Sequence, residues 1–408
     1  MKVAIYCFDF QRDNVHRQPW RYIWEMAKFF VREGLEVELL TEGEKQTTDL
    51  IENVPVTTLP SSDFFNHLSA YLSTKKFQAY LEIQGFTSLF NPKRKKFRSS
   101  LSVPVIGVLT SPLYRLPFLF RLGVGEWVRN GKYYLHALIT ALTPQRTLGA
   151  LLNHQNRVTI VTSQHMLEEC LRLGVKREKL LLAPPGVDKS KLPPLRLSDS
   201  SGRKPFQEFL YLGSPLTLRG SEVSLNAFSR VVRKFPRAHL TMLCRTEYPS
   251  LNREVAYLQK LTRRMRLEEK VSIIPGVLSR EQVGNYLQQA DAILLPFKFV
   301  ISDVPLAILE AMAAGKVVIS TRVDGIPELL AEGRGIVVSP GNVTELAEAM
   351  SRLLTAPESA YALGKAARDY IETSHPEWDD SFRIVVQRIH EIIHQDEQVE
   401  YEYGTSNL

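Results

Sequence analysis

The sequence predicts an α/β protein of two domains, each built on a doubly wound parallel sheet. Three observations carry that prediction. The chain has 408 residues, more than one ordinary hydrophobic core organises. In both halves short apolar runs of strand length alternate with segments of helical period. Between the halves, residues 190–204 are rich in Ser, Pro, Lys and Arg and read as a linker. The expected units are 1–188, 189–375, a last helix over 376–395 and a polar, acidic tail over 396–408 expected to be unordered.

Residues 2–7 form the first strand, followed by a long polar loop over 8–18. Pro19 then opens a helix whose apolar face is Trp20, Ile23, Trp24, Ala27, Phe30 and Val31. Gly34 ends it, and 37–40 is the next strand. This βαβ unit lacks a GxGxxG fingerprint, which argues against a dinucleotide dehydrogenase. Further strands are expected at 79–83, 103–109, 158–162 and 180–183, with a helix over 165–173. Residues 92–98 (PKRKKFR) are a basic run. Residues 113–142 mix Tyr114, Phe118, Phe120, Trp127, Tyr133 and Tyr134 with Arg115, Arg121, Arg129 and Lys132. Three readings stay open for this region: an anionic membrane interface, a solvated run beside a core helix, or nucleic acid, for which no binding motif is present.

The second half begins with a strand over 209–212 and a loop, GSPLTLRG, from Gly213 to Gly220. A glycine-flanked loop after a strand, carrying Arg219, can hold a phosphate through backbone N–H groups and a guanidinium. It reads equally as an ordinary turn with a surface arginine. A helix with face Val223, Ala227, Val231 and Phe235 follows, then strands at 240–243 and 271–274, separated by a basic amphipathic helix over 255–266. Gly276 and Val277 stand at a strand end, where a base or ribose could lie against backbone. After a helix over 280–289, residues 292–295 (AILL) are a buried strand.

Residues 302–321 (SDVPLAILEAMAAGKVVIST) are the stretch around which the chain is organised. Asp303 is a good N-cap, Pro305 suits a first turn, Ile308, Leu309, Met312 and Ala313 give an apolar face, and Gly315 ends the helix. Glu310 stands in the middle of this apolar segment, where an ionised carboxylate needs a partner. Either it serves a ligand or it salt-bridges an arginine. With Asp303 also helical, the two acids share a face about 10 Å apart.

Composition excludes several classes. A hydrophobic fraction of 44% and a charged fraction of 23% are those of a soluble globular protein. No run of about 18 apolar residues is present, and MKVAIYCFDF reads as a strand rather than a secretion signal. Cys7, Cys170 and Cys244 are scattered without metal spacing and read as buried thiols of a reducing compartment. The net charge of +7 is compatible with a phosphorylated ligand or an anionic surface.

Five motifs then occur in order: LYLGSPLTLRG, VSIIPGVL, ADAILLPF, PLAILEAMAAGKVVISTRVDGIPELL and RGIVVSPGN. Together they resemble the C-terminal domain of GT-B fold glycosyltransferases of family 4. SQHMLEECLRLGVKREKLLLAPPGVD is similar to the end of that family's N-terminal domain, and the resemblance is good over 158–393. It implies two Rossmann-like domains facing across a cleft: the first for the acceptor, the second for a nucleotide-sugar, with the last helix returning to the first domain. It implies retaining transfer from a UDP- or GDP-linked donor to a carbohydrate or lipid-linked acceptor. No cofactor, bound metal or nucleic acid is expected, and there is no DxD motif. A cytoplasmic enzyme, peripheral at the inner membrane face, follows as an expectation.

Carried over by position, Glu310 matches the second glutamate of an E-x7-E motif, which grips the donor ribose. Arg219 matches the basic residue of the phosphate loop begun by Gly213, and backbone at Val277 faces the base. Leu306 and Ala307 match N–H groups facing the diphosphate. The expected catalytic residues are Arg219, Glu310 and Asp303. The chain departs from the pattern at Ser302, which replaces the first glutamate and has Asp303 beside it, and at Ser214, which replaces an arginine. The glycine-rich loop after the first strand is missing. So is a histidine after 103–109, where Ser111 and Pro112 stand. His16 reads as a surface residue or one brought to the cleft by its loop. Two alternatives follow: a catalytically silent nucleotide-sugar-binding subunit, or a GT-B sugar-nucleotide epimerase.

Overall fold

The computed structural model describes residues 1–113, 131–193 and 206–405. Two sheets organise them. The first contains β1 (Lys2–Tyr6), β2 (Glu36–Gly43), β3 (Thr47–Ile51), β4 (Val54–Pro60), β5 (Ala79–Gln84), β6 (Val105–Leu109), β7 (Val158–Val161) and β8 (Leu180–Leu182). Its order is β3-β4-β2-β1-β5-β6-β7-β8. The second contains β9 (Glu208–Gly213), β10 (His239–Cys244), β11 (Val271–Pro275), β12 (Ala292–Leu295), β13 (Val317–Thr321) and β14 (Ile336–Val338). Its order, β11-β10-β9-β12-β13-β14, is that of a dinucleotide-binding doubly wound sheet, with the reversal between β9 and β12.

All pairs but one are parallel. The strands therefore need cover on both faces, and β5, β6, β12 and β13 are buried at every position. The exception is β3, paired antiparallel with β4 at the sheet edge. Sequence reading passed over this hairpin. Its turn is Glu52–Asn53, both at positive φ (44° and 68°), the conformation of a two-residue hairpin loop. The alternation of Val54, Val56 and Thr58 was the available signal.

The long helix Trp378–Thr405 packs its Trp378, Phe382, Val385, Ile389 and Ile392 into the core of the first sheet. The expectation of an unordered tail from 396 is corrected over 396–405, which continue this helix. Asp396 pairs with Arg157 at 3.1 Å, tying the extension to the end of the first domain. The chain crosses between the domains twice, and the crossings lie against each other. Val187 N–H donates to the Pro376 carbonyl at 3.2 Å. The His375 ring, 3% exposed, donates from Nε2 to the Pro185 carbonyl at 2.9 Å.

Burial lowers the His375 pKa from 6.5 to about 4. The unfolded imidazole takes up its proton first as pH falls. This contribution to stability is therefore complete above pH 6.5 and declines as pH falls from 6.5 towards 4. Unfolding measured across that range should show His375→Gln losing up to about 3 kcal/mol of the wild-type pH dependence. Parallel curves for the two proteins would contradict the burial argument.

The basic run at 92–98 is not simply a solvated face. It forms the helix Pro92–Ser99, capped by Asn91, and turns Arg94 and Arg98 inward. Both pair with Glu82, a fully buried carboxylate on β5, and Arg94 Nε lies 3.2 Å from it. Tyr80 and Gln84 donate to the same carboxylate at 3.1 and 3.0 Å. Only Lys93, Lys95 and Lys96 of the run's basic side chains face solvent. Tyr114, Arg115, Phe118, Phe120, Arg121, Trp127 and Arg129 lie outside the described residues, as do the side chains of Lys132, Tyr133 and Tyr134. Removing one partner of a buried ion pair leaves the other charged and desolvated. Glu82→Ala should cost about 3–5 kcal/mol in chemical denaturation; a loss under about 1 kcal/mol would mean the network is effectively hydrated.

Candidate active site

The site is built where the second sheet reverses. β9 ends at Gly213 and β12 at Leu295, so the loops after them open at the carboxyl ends of neighbouring strands. The loop 213–220 is held from below. The buried Tyr211 hydroxyl donates to the Ser214 carbonyl at 2.6 Å, and Ser221 Oγ donates to the Pro215 carbonyl at 2.7 Å. Gly220 closes the loop at φ 85°, and a Cβ there would lie 2.0 Å from the Pro296 carbonyl oxygen. Arg219 extends over the Phe297 ring at 4.9 Å. Ser214 Oγ is buried without a hydrogen-bond partner.

From β12 the chain runs to the helix Leu306–Ala313. The helix begins later than the sequence implied. Pro305 is extended (φ −72°, ψ 118°) and occupies the N-cap position, so Asp303 is neither N-cap nor helical. The expected shared face of Asp303 and Glu310 is thereby corrected. The N–H groups of Leu306 and Ala307 belong to the first turn, which points donors outward along the helix axis. At the other end Gly315 (φ 67°) and the bond from Lys316 N–H to the Ala311 carbonyl terminate the helix.

Glu310 projects from the second turn towards the first domain, with 46% of its side chain exposed. Its neighbours there are cationic. Arg21, in the first turn of the helix Trp20–Arg32, reaches Glu310 Oε1 at 3.2 Å. Partial burial raises the Glu310 pKa, while Arg21, Arg280 and Arg245 pull it down. Of the two readings left open for this residue, the structure shows the arginine pair; the residue also stands at the sheet's switch point. The loop before that helix adds two more contacts across the domains. Arg17 pairs with Glu247 at 2.7 Å, and His16 Nδ1 lies 3.3 Å from Arg280 Nη2. His16 is thus at the domain boundary. Its pKa is lowered by partial burial and by Arg280, Arg21 and Arg245. Val277, 61% exposed, lies three residues before Arg280.

Ser302 and Asp303 occupy a different flank. Asp303 is fully buried. Its N–H donates to the Thr110 carbonyl of the first domain at 3.0 Å, and its Oδ1 accepts from Gly325 N–H at 3.1 Å. Burial raises its pKa, against the Ser163 hydroxyl, His165 and the Gly325 N–H. Beside it Glu328 accepts from the N–H groups of Gln164 and His165 at 3.3 and 3.0 Å, answering the free donors at the start of the helix Gln164–Arg172. Two departures from the family pattern therefore meet: Asp303, next to the missing glutamate, is hydrogen-bonded to Thr110, next to Ser111 where a histidine was expected.

Of the residues singled out in the sequence, Gly213, Ser214, Arg219, Leu306, Ala307 and Glu310 belong to the loops and helix at the switch point. Sequence reasoning missed Arg17, Arg21, Arg245, Glu247 and Arg280. None sits in a motif; the only signal was the unmatched charge of Glu310.

Comparison with known proteins fits this geometry. Residues 207–356 match the family model described as glycosyl transferases group 1. The fold is GT-B, and residues 207–356 carry the glycosyl transferases group 1 match. Over 389 residues it is 26% identical to a D-inositol 3-phosphate glycosyltransferase of Pseudarthrobacter chlorophenolicus, covering 90% of this chain and 89% of that protein. Its fold is similar to sucrose-phosphate synthase from Thermosynechococcus elongatus (TM-score 0.73, 17% identity, 97% and 99% covered). It is also similar to Anabaena HepE in complex with UDP-glucose (TM-score 0.68, 14% identity, 97% and 100% covered). The GT-B fold accounts for the two sheets.

Proposed function

We propose that this chain is a glycosyltransferase of family 4 and moves a sugar, with retention, from a UDP- or GDP-linked donor to a glycan, lipid-linked or small-molecule acceptor. The observation that carries the donor site is the Glu310 carboxylate at the switch point, one turn into a helix whose N–H groups point outward. On this reading Glu310 accepts hydrogen bonds from the ribose hydroxyls. Leu306 and Ala307 N–H groups and Arg219 face the diphosphate, and Val277 backbone faces the base. The sugar C1–O bond breaks with its electron pair going to the diphosphate oxygen. The acceptor oxygen bonds to C1 and its proton is released. Fixed donors and guanidiniums stabilise the charge that builds on the leaving group. This assigns no step to a cofactor or metal.

A resemblance in relatives supports an anionic acceptor or donor only in class; the Pseudarthrobacter relative is named for a phosphorylated inositol and HepE is complexed with UDP-glucose. A second reading, a silent nucleotide-sugar-binding subunit, is favoured by the direct Asp303–Thr110 hydrogen bond, which joins the domains where the family places sugar-contacting side chains.

The test is thermal stabilisation and turnover with UDP-, GDP- and ADP-linked sugars. Ligand binding to the folded state raises Tm by mass action. Glu310→Ala should weaken donor binding by about ten- to a hundredfold; wild-type affinity and turnover in that variant would refute the donor site. Binding without consumption in the wild type would establish the silent reading.

No helix among the described residues is long and apolar enough to cross a membrane. Contact with an anionic membrane surface is proposed through Lys93, Lys95 and Lys96, each worth about 1 kcal/mol at such a surface. Salt-sensitive sedimentation with anionic vesicles, reduced by Lys93→Glu and Lys96→Glu, is the expected result; sedimentation equal to that with neutral vesicles would remove the proposal.

A further inference from the structure

The phosphate loop carries a single cation. Ser214 stands where an arginine is expected, and Arg219, the remaining one, lies over Phe297. A departing nucleoside diphosphate bears at least two negative charges, so a site of this class needs further positive charge. The fold supplies it from outside the motif.

Arg21 reaches Glu310 at 3.2 Å, and the loop just before Arg21 meets two further guanidiniums: Arg17 shares Glu247 with Arg245, and His16 lies 3.3 Å from Arg280. Arg21 comes from the first domain, Arg245 follows β10, and Arg280 opens the helix Arg280–Gln289. All three add positive charge near both Glu310 and His16. Most nearby carboxylates are engaged elsewhere. Glu247 pairs with Arg17 at 2.7 Å and approaches Arg245 at 3.4 Å. Glu25 pairs with Lys28 at 2.9 Å and stands 3.8 Å from Arg21. Arg280 makes its short polar contact with His16, a neutral partner. The buried Nε atoms of Arg21 and Arg245 lie 3.8 Å from Glu25 and 3.4 Å from Glu247. Arg17, Arg21, Arg245 and Arg280 share the carboxylates Glu25, Glu247 and Glu310, an excess of guanidinium charge suited to an anion.

We propose that Arg21, with Arg245 and Arg280, is a second diphosphate-binding group of this protein, delivered across the domain boundary. Arg21 pairs with Glu310 at 3.2 Å. When donor enters, Glu310 turns to the ribose hydroxyls and Arg21 transfers to the diphosphate. The exchange costs little charge balance, because one carboxylate partner is replaced by another anion. It also ties neutralisation of the leaving group to the contact between the domains. The inference rests on the proposed donor site and adds residues that no motif contains.

The experiment uses the full chain and calorimetric titration with UDP, GDP, uridine, guanosine and inorganic pyrophosphate at low and high salt. The proteins are wild type, Arg21→Ala, Arg21→Lys, Arg280→Ala and Glu310→Gln. Arg21→Ala should weaken nucleoside diphosphate binding about ten- to a hundredfold and flatten its salt dependence. Nucleoside affinity should not change, and Arg21→Lys should restore part of the loss. Glu310→Gln should weaken nucleoside and nucleoside diphosphate alike. If Glu310→Gln weakens both and Arg21→Ala binds diphosphates as wild type does, the donor site stands and the Arg21 inference falls. If the wild type binds neither UDP nor GDP yet binds pyrophosphate in an Arg21-dependent manner, the anion cluster stands and the donor-site reading falls. No pyrophosphate or nucleoside diphosphate binding at either salt concentration overturns both. Equal losses for nucleoside and diphosphate in Arg21→Ala would show a merely structural contact and also overturn the inference.

Discussion

Glu310 is the one charged side chain on an eight-residue helix that is otherwise apolar, and its charge is answered from the other domain. An ionised carboxylate beside a packed core is stable only with donors or cations around it. Arg21 satisfies that requirement from a helix nearly three hundred residues away in the chain. The position of the first domain, the ionisation of Glu310 and the electrostatic character of the site are therefore one problem. A change in any of them alters the other two.

The architecture explains why the answer has to come across a boundary. In the second sheet the reversal between β9 and β12 leaves their following loops diverging, and the central helix starts from one of them. Its apolar side packs into the core below, with Ile308, Leu309 and Met312 fully or almost fully buried. Glu310 is left on the side facing out of the domain. The opposite surface belongs to the first sheet, whose loop 8–18 follows β1 at an equivalent strand end. Two parallel sheets set with their carboxyl ends together thus bring loops from both to one place.

The contacts on the Asp303 flank are of another kind. There the domains are joined by backbone N–H groups meeting carbonyl and carboxylate oxygens, at Asp303–Thr110 and at Glu328 with Gln164 and His165. The Asp303–Thr110 bond joins two backbones directly, so it is sensitive to the angle between the domains. The guanidinium contacts on the Glu310 flank are longer-armed and tolerate more movement. Exchange of partners at Arg21 is consistent with that difference.

Much of the molecule could be read from local pattern. The strands β9 to β13 and the loop 213–220 follow from apolar runs bounded by Gly and Pro, because a buried parallel strand and its turn are local requirements. The same reasoning failed for the β3–β4 hairpin, whose exposed edge strand has no apolar run. It also failed for the start of the central helix, where Asp303 is recruited by Gly325 and Thr110 instead of capping. In two segments the sequence announced a need without naming its solution. Glu82 in AYLEIQ and Glu310 in LAILEAMA are lone carboxylates in apolar stretches, and each had to find cations. That need is a property of the residue and its neighbours in the chain. Whether Arg94 and Arg98 or Arg21, Arg245 and Arg280 meet it depends on which surfaces the packed sheets bring within a few ångströms, and only the tertiary structure decided that.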